Sequence, residues 1–319
     1  MQTSFTKLMG IDYPIIIAPM FLVSNTKMII AALNNGITAA IPALNFRTDE
    51  DFRKAIAEIK AASDKPMGVN LIVNKSNPKY KKQLKTCIDL KVDFIITSLG
   101  NPKEVITKCK AAGIKVFCDV VDLKFALKVA DLGADAVIAV NSKAGGHSGN
   151  QPADRLVPML KEKLEIPVIS AGGIATGYQL KKALELGAEA VSIGTLFIAS
   201  EEAGVSDDYK NALVEYGGKD IIMSSNISGT PLTVINTPYM QKLGKKKSTL
   251  LKMLNRNKRF KKYIKMLIMF KGMKSVKRAA NKSTYKTVWV AGPSIEDIHS
   301  VKPVKEIIEN LVKEYTEEN

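Results

Sequence analysis

Chemistry in this chain is concentrated in a few glycine-rich runs, and the first of them carries a histidine. The run Asn141-Ser142-Lys143-Ala144-Gly145-Gly146-His147-Ser148-Gly149 holds one of only two histidines; the other, His299, lies near the C-terminus. Glycines let backbone come close to a ligand and expose N–H groups. A neutral imidazole near pH 7 can take a proton from carbon or position a substrate oxygen. An arbitrary histidine is more often a structural or surface residue; the glycine context and the loop position favour a catalytic role for His147. Two further runs follow, Ser170-Ala171-Gly172-Gly173-Ile174-Ala175-Thr176-Gly177 and Ser192-Ile193-Gly194-Thr195, each opening a helical pattern. One such turn alone would be an ordinary Gly-rich turn. Two in register point to a phosphate, bound by backbone N–H groups and a helix N-terminus. That phosphate could belong to a flavin, a sugar phosphate or a nucleotide. Asn70, closing the apolar run Gly68-Val69-Asn70-Leu71, has an amide suited to the N and C=O edge of a heterocycle, or to a local turn. Met20, after Ala18-Pro19, would pack under a flat ring or fill the core.

The elements that position these runs show themselves as a repeat. A helical pattern, a Gly and a short apolar run recur in AALNNGITAAI (31–41), KCKAAGIKVFCDV (108–120), KVADLGADAVIAV (128–140) and KALELGAEAVSIG (182–194). The Gly occupies the left-handed position that ends a helix. The run after it is apolar on both faces, as in a parallel strand covered on both sides. Eight such runs are expected as strands, at 14–18, 37–41, 66–71, 93–98, 115–120, 135–140, 166–170 and 188–193. Eight alternating strands and helices predict an α/β fold, a closed (β/α)8 TIM barrel, whose active site lies at the strand C-terminal ends and whose phosphate site follows strands 7 and 8. An open doubly wound sheet would want a GxGxxG turn after its first strand, and none is present. The expected organisation is a barrel core over 1–202 and a mainly helical, basic extension over 203–319, with short helical and irregular stretches over 201–240 and a closing amphipathic helix over 301–316.

Composition narrows the partners. Sixteen of the 47 lysines and arginines lie between Lys242 and Lys282 with no acid among them, so the rest of the chain balances its 31 acidic residues. A neutral body with one basic segment does not suit a nucleic-acid-binding surface. The apolar positions within 245–278 suit a lid lying on the barrel, a docking surface for an acidic partner, or weak association with a membrane surface. Cys87, Cys109 and Cys118 lack metal-ligand spacing, and no metal site is expected. No export signal and no apolar stretch of ~18 residues is evident, which leads to the expectation of a cytoplasmic protein with reduced thiols.

Taken together, PIIIAPM (14–20), GVN (68–70), AGGHSG (144–149), SAGGIATG (170–177) and SIGT (192–195) resemble the nitronate monooxygenase family, and flavin-type enoyl-ACP reductases share these motifs. The resemblance covers about residues 10–202. It implies non-covalent FMN, with Pro19, Met20 and Asn70 at the flavin ring and Gly145, Gly172, Gly173, Ser192, Ile193, Gly194 and Thr195 holding the cofactor's phosphate end. It implies His147 as catalytic base in the oxidation of an alkyl nitronate, such as propionate 3-nitronate, with O2 to a carbonyl compound and nitrite. Its alternative is an NAD(P)H-dependent enoyl-thioester reductase. Many relatives carry Gln or Glu where this chain has Val140, Glu where it has Lys143, and Gln where it has Ser192; these departures bear on the flavin and substrate contacts. Lys143 would stabilise a negative reduced ring or an anionic substrate, or simply face solvent. A phosphate-binding barrel without redox chemistry would need strand-end lysines or paired carboxylates, and Asp119 is the one candidate carboxylate.

Overall fold

The computed structural model describes residues 1–74, 77–225, 231–245 and 288–317. Eight parallel strands close into a barrel: β1 (Ile15–Ile17), β2 (Thr38–Pro42), β3 (Met67–Ile72), β4 (Phe94–Ser98), β5 (Lys115–Val120), β6 (Ala136–Val140), β7 (Val168–Ala171) and β8 (Ala190–Ile193). β8 returns to β1 in the register Ile16↔Ser192. The helices between them are α2 (Thr26–Asn34), α3 (Asp49–Ala62), α4 (Tyr80–Asp89), α5 (Lys103–Ala111), α6 (Leu123–Asp131), α7 (Ala153–Lys163) and α8 (Gly177–Glu185), after a short α1 (Ser4–Met9). The expected TIM barrel is present, with strand bounds within two residues of those read from the sequence. The helix-ending glycines Gly36, Gly113, Gly133 and Gly187 all have positive φ, from 72° to 99°.

Two apolar layers result from the strand period of two. Inside the barrel, Ile16, Ala40, Ile96, Ile138 and Ile169 pack with stacked Phe94 and Phe117, whose ring centroids are 4.8 Å apart. Phe94 lies so close over Gly68 that a Cβ there would fall 2.2 Å from its ring, which is why β3 has no side chain at that position. Phe5 and Met9 of α1 join this layer, with Phe5 packed against Phe117 at 5.6 Å, and plug the end opposite the glycine runs. The outward strand residues meet the helices in a second, larger layer.

Beyond β8 come α9 (Thr195–Ile198), α10 (Asp207–Glu215), β9 (Ile221–Ser224), β10 (Leu232–Ile235), α11 (Pro238–Lys245) and α12 (Val304–Thr316). The C-terminal region is helical as expected, but within 201–240 the chain also forms an antiparallel β9–β10 hairpin where the sequence suggested only short helical and irregular stretches. Short strands of mixed burial give no periodicity long enough to read. α12 packs against α8 and α2 and completes the outer helical ring. Its first turn is capped by Glu202, whose carboxylate accepts from Val304 N at 3.0 Å. Contact with α8 is close enough that a Cβ at Gly177 would fall 2.3 Å from Leu311 O. Most of the basic segment 241–282 lies outside the described residues, so the readings of it as lid, docking surface or membrane-binding face find no structural counterpart. Among the described residues no helix is long and apolar enough to cross a membrane, and no cluster of potential metal ligands occurs.

Candidate active site

The histidine loop is built outward from Asn141, fully buried where β6 ends. Its Nδ2 donates to Gly172 O at 2.9 Å and its Oδ1 accepts from Lys143 N at 2.8 Å, so one amide ties the loop after β6 to the loop after β7. Its carbonyl accepts from Ala144 N and Gly149 N, both at 3.2 Å, which folds the run back on itself. Gly172 makes this possible. It sits at φ 112°, and a Cβ there would fall 2.5 Å from Ala144 N and 2.7 Å from Asn141 Oδ1. At Gly173 a Cβ would fall 3.0 Å from the Lys143 side chain, which lies across it. These two glycines therefore serve first to let one loop rest on another.

Gly145 is different. It is exposed, and a Cβ there would fall 3.1 Å from Thr195 Oγ1 and 3.0 Å from Gly292 N. Thr195 Oγ1 accepts from Gly292 N at 3.0 Å, so the loop after β6, the turn after β8 and the segment after residue 288 meet at one point. A Cβ on Gly194 would fall 3.6 Å from Met20 Sδ, which brings the end of β1 to the same turn, with Pro19 and Met20 both half-buried. Ser192 faces the barrel interior, while Ile193 joins the outer apolar layer, so Ile193 has only backbone to offer a ligand. The structure thus gathers Met20, Gly145, Gly172, Gly173, Gly194 and Thr195. Asn70 lies in β3 two residues before its end, 7% exposed, with Nδ2 donating to Ile96 O at 3.1 Å and to Ser98 Oγ at 2.8 Å.

One expectation changes. The helix opening after SAGGIATG was read as half of a phosphate site, but the first turn of α8 is already occupied. Gly177 N donates to Glu314 Oε2 at 2.6 Å, and Thr176 and Gln179 form a reciprocal cap. α9, which begins at Thr195 after β8, has no side-chain cap. Among the described residues the backbone N–H groups of Thr195 and Gly145 have no hydrogen-bond partner, and this glycine-lined edge suits the phosphate end of a flavin nucleotide.

His147 keeps solvent access, yet the atoms crowded around it desolvate the ring and lower its pKa, so the neutral, proton-accepting form prevails at lower pH than for a free histidine. Beside it, Ser148 Oγ is buried with no hydrogen-bond partner among the described residues. The loop is held from outside by Thr233 of β10. Thr233 N donates to Gly146 O at 2.9 Å, and its hydroxyl lies 2.9 Å from Ala144 O and 3.1 Å from Gly146 O. The same edge of β10 is braced two residues further on: Ile235 N donates to Trp289 O at 2.9 Å, and Tyr209 stacks on Trp289 while donating to Val290 O at 2.6 Å. Asn141, Thr233 and Gly292 are the supports that reading of the sequence missed. Asn141 was visible as a polar residue closing an apolar strand; nothing local marks the other two.

A family model described as nitronate monooxygenase matches residues 73–314. This chain belongs to the nitronate monooxygenase family. Membership makes it a flavin-dependent oxidoreductase. Among curated relatives, it is 32% identical over 243 residues to a (3aS,4S,5R,7aS)-5-hydroxy-7a-methyl-1-oxo-octahydro-1H-indene-4-carboxyl-CoA dehydrogenase of Rhodococcus jostii, covering 76% of this chain and 68% of that protein. It is 29% identical over 268 residues to a nitronate monooxygenase of Paraburkholderia phytofirmans, covering 70% and 73%. Among solved structures, FabK from Thermotoga maritima superposes with a TM-score of 0.86 at 33% identity, over 99% of this chain and 96% of that one.

Proposed function

We propose that this protein binds FMN at the barrel mouth and oxidises alkyl nitronates, propionate 3-nitronate among them, with O2 to a carbonyl compound and nitrite. FMN, when bound, supplies the one-electron redox chemistry. The chain's own part is to hold the cofactor and to move a proton. Gly145, the Ser192–Thr195 turn and the loop containing Gly172 and Gly173 would take the phosphate end; Pro19, Met20 and Asn70 would meet the ring. His147 would take the proton from the carbon of a neutral nitroalkane. The observation that carries the reading is the desolvated, neutral His147 on a loop whose Gly145 touches the Thr195 turn. A base that is already neutral at working pH needs no prior deprotonation.

A second reading has support of its own. FabK matches nearly the full chain, and the Rhodococcus relative is named for a carboxyl-CoA substrate. On that reading the same mouth takes an enoyl thioester and NAD(P)H. An anaerobic rapid-mixing experiment separates the two: nitronate bleaches the flavin and NAD(P)H does not if the first reading holds, and the reverse if the second does. For the base, His147→Asn is expected to retain FMN and nitronate turnover while losing about 100-fold or more on the neutral nitroalkane, the usual worth of a positioned base. Full activity of that variant on the neutral substrate would remove His147 from the role.

A further inference from the structure

We infer that Ser98 and Asp119 lock the Asn70 side chain so that it shows only its carbonyl oxygen to the barrel mouth, and that this oxygen receives the imide N–H of a flavin ring. The inference rests on the flavin reading above and adds to it two positioning residues and the direction of one hydrogen bond.

The lock follows from counting donors. Ile96 O is a backbone carbonyl and can only accept, and Asn70 Nδ2 lies 3.1 Å from it. A flipped amide would set oxygen against oxygen, so this carbonyl favours the nitrogen, through a bond long enough that the shorter one to Ser98 is needed to hold the amide at its angle. The second N–H of the same amide goes to Ser98 Oγ at 2.8 Å. A hydroxyl has one hydrogen, and Ser98 donates its own to Asp119 Oδ2. Donation therefore runs one way, from Asn70 to Ser98 to Asp119, and both Asn70 hydrogens are used. Oδ1 is what remains. Among the described residues no hydrogen bond to Oδ1 is found, and it is not one of the polar atoms sealed from solvent without a partner.

Position supports the same conclusion. Asn70, Ser98 and Asp119 occupy successive strands β3, β4 and β5, and Ser98 and Asp119 each stand two residues beyond an interior side chain, Ile96 and Phe117. They form a polar step directly above the apolar barrel filling. Burial pushes the Asp119 carboxyl up to about 6, opposed by the Ser98 hydrogen bond, so at neutral pH it is an ionised acceptor. On the ligand side, an oxidised isoalloxazine carries a single N–H, the imide between two carbonyls. An acceptor-only group meets that hydrogen, whereas a reversed amide would present a donor where an acceptor is needed.

The test titrates apo-protein, by flavin fluorescence, with FMN, riboflavin and N3-methyl-FMN. Ser98→Ala and Asp119→Leu are each expected to weaken FMN about fivefold to tenfold, the worth of one net hydrogen bond. Riboflavin should weaken by the same factor, because the phosphate is not involved. Asp119→Asn, which still offers Ser98 an acceptor, should restore the affinity. Binding of N3-methyl-FMN, which has no imide hydrogen, should be unchanged by any of the three substitutions. A merely structural defect would fall on all three ligands alike. The inference is overturned if Ser98→Ala binds FMN as tightly as the native chain, if its loss persists with N3-methyl-FMN, or if Asp119→Asn fails to restore binding. Should Asp119→Leu not fold, Ser98→Ala and Asp119→Asn decide the matter. A native protein that binds none of the three flavins overturns the cofactor reading itself and the inference with it, whereas native binding with unresponsive variants overturns the inference alone.

Discussion

Thr233→Val isolates the support that β10 gives the histidine loop. The residue is 5% exposed, and valine reproduces its shape without the hydroxyl. What disappears is the hydrogen bond to Ala144 O at 2.9 Å, shared with Gly146 O at 3.1 Å. The backbone bond from Thr233 N to Gly146 O at 2.9 Å stays, so the loop is loosened and not released. One net hydrogen bond is worth about 1 kcal/mol, and a carbonyl left unpaired in a buried setting raises the cost toward ~2 kcal/mol. A shift of about 1 to 1.5 kcal/mol multiplies the population of a displaced loop by roughly 5 to 12. Turnover is a blunt probe of that change, because a loop displaced a small fraction of the time still works for most of it. Amide exchange reads the opening directly. Exchange at the amides of residue 233 and Gly149, both bonded to the loop, is expected to quicken about fivefold to tenfold in the valine variant, in line with the population estimate. Thr233→Ser keeps the hydroxyl and should exchange as the native chain does. Native-like exchange in the valine variant, or equal acceleration in the serine variant, would refute the idea that this hydroxyl holds the loop.

Two further outcomes follow from the geometry. Gly172→Ala combines φ 112° with a Cβ 2.5 Å from Ala144 N, and should cost about 3 to 5 kcal/mol in equilibrium denaturation; Gly113→Ala, at φ 72° with nothing within 4 Å, should cost only about 1 kcal/mol, so equal losses would mean that the clash between loops is not real. Asp119 has a folded pKa of about 6, raised above the ordinary value of 3.8, so its protonated form favours folding and the stability it contributes is lost as pH rises from about 4 through 6. Asp119→Asn should therefore gain stability over the native chain by at most about 3 kcal/mol above pH 6 and by little near pH 4, and a gain independent of pH in thermal unfolding would contradict the desolvated carboxylate.

What was legible in the sequence was whatever the chain encodes locally. The barrel could be read because each helix ends in a glycine that adopts positive φ, and because strands buried on both faces leave continuous apolar runs. Gly145, Gly172, Gly173 and the Ser192–Thr195 turn could be found because glycine clusters stand out against such runs. Their separate tasks could not. Only packing shows that Gly172 accommodates Ala144 while Gly145, exposed on one side, lies against Thr195 and Gly292. Long-range supports were invisible for the same reason: Thr233 reaches Ala144 across 89 residues, and Gly292 reaches Thr195 across 97. The polar step of Asn70, Ser98 and Asp119 was half legible. Ser98 and Asp119 each follow an interior residue by two, a register that the strand period exposes, but Ser98 was not singled out and Asp119 was considered only for chemistry it does not share with a second carboxylate.

The C-terminal region can be weighed by where it attaches. Thr233 bonds the histidine loop, Gly292 bonds Thr195 at the start of α9, and Glu314 caps the helix that follows β7. Those three points are the loop after β6, the turn after β8 and the helix after β7, which together make the glycine-lined edge of the mouth. A barrel can close its sheet without them, since β8 pairs with β1 directly. They also fix the shape of the edge, since the contact between the loops after β6 and β8 is Gly145 against the Thr195 hydroxyl, which Gly292 holds in place. The described residues flanking the basic segment belong to the same support: Met240 and Val288 pack with Leu232 and Val234 in one buried cluster beside Thr233. The described residues on either side, Met240 and Val288, thus sit where the histidine loop is held, and this supporting position gives the described region after residue 202 a part in the candidate site that a detached appendage would not have.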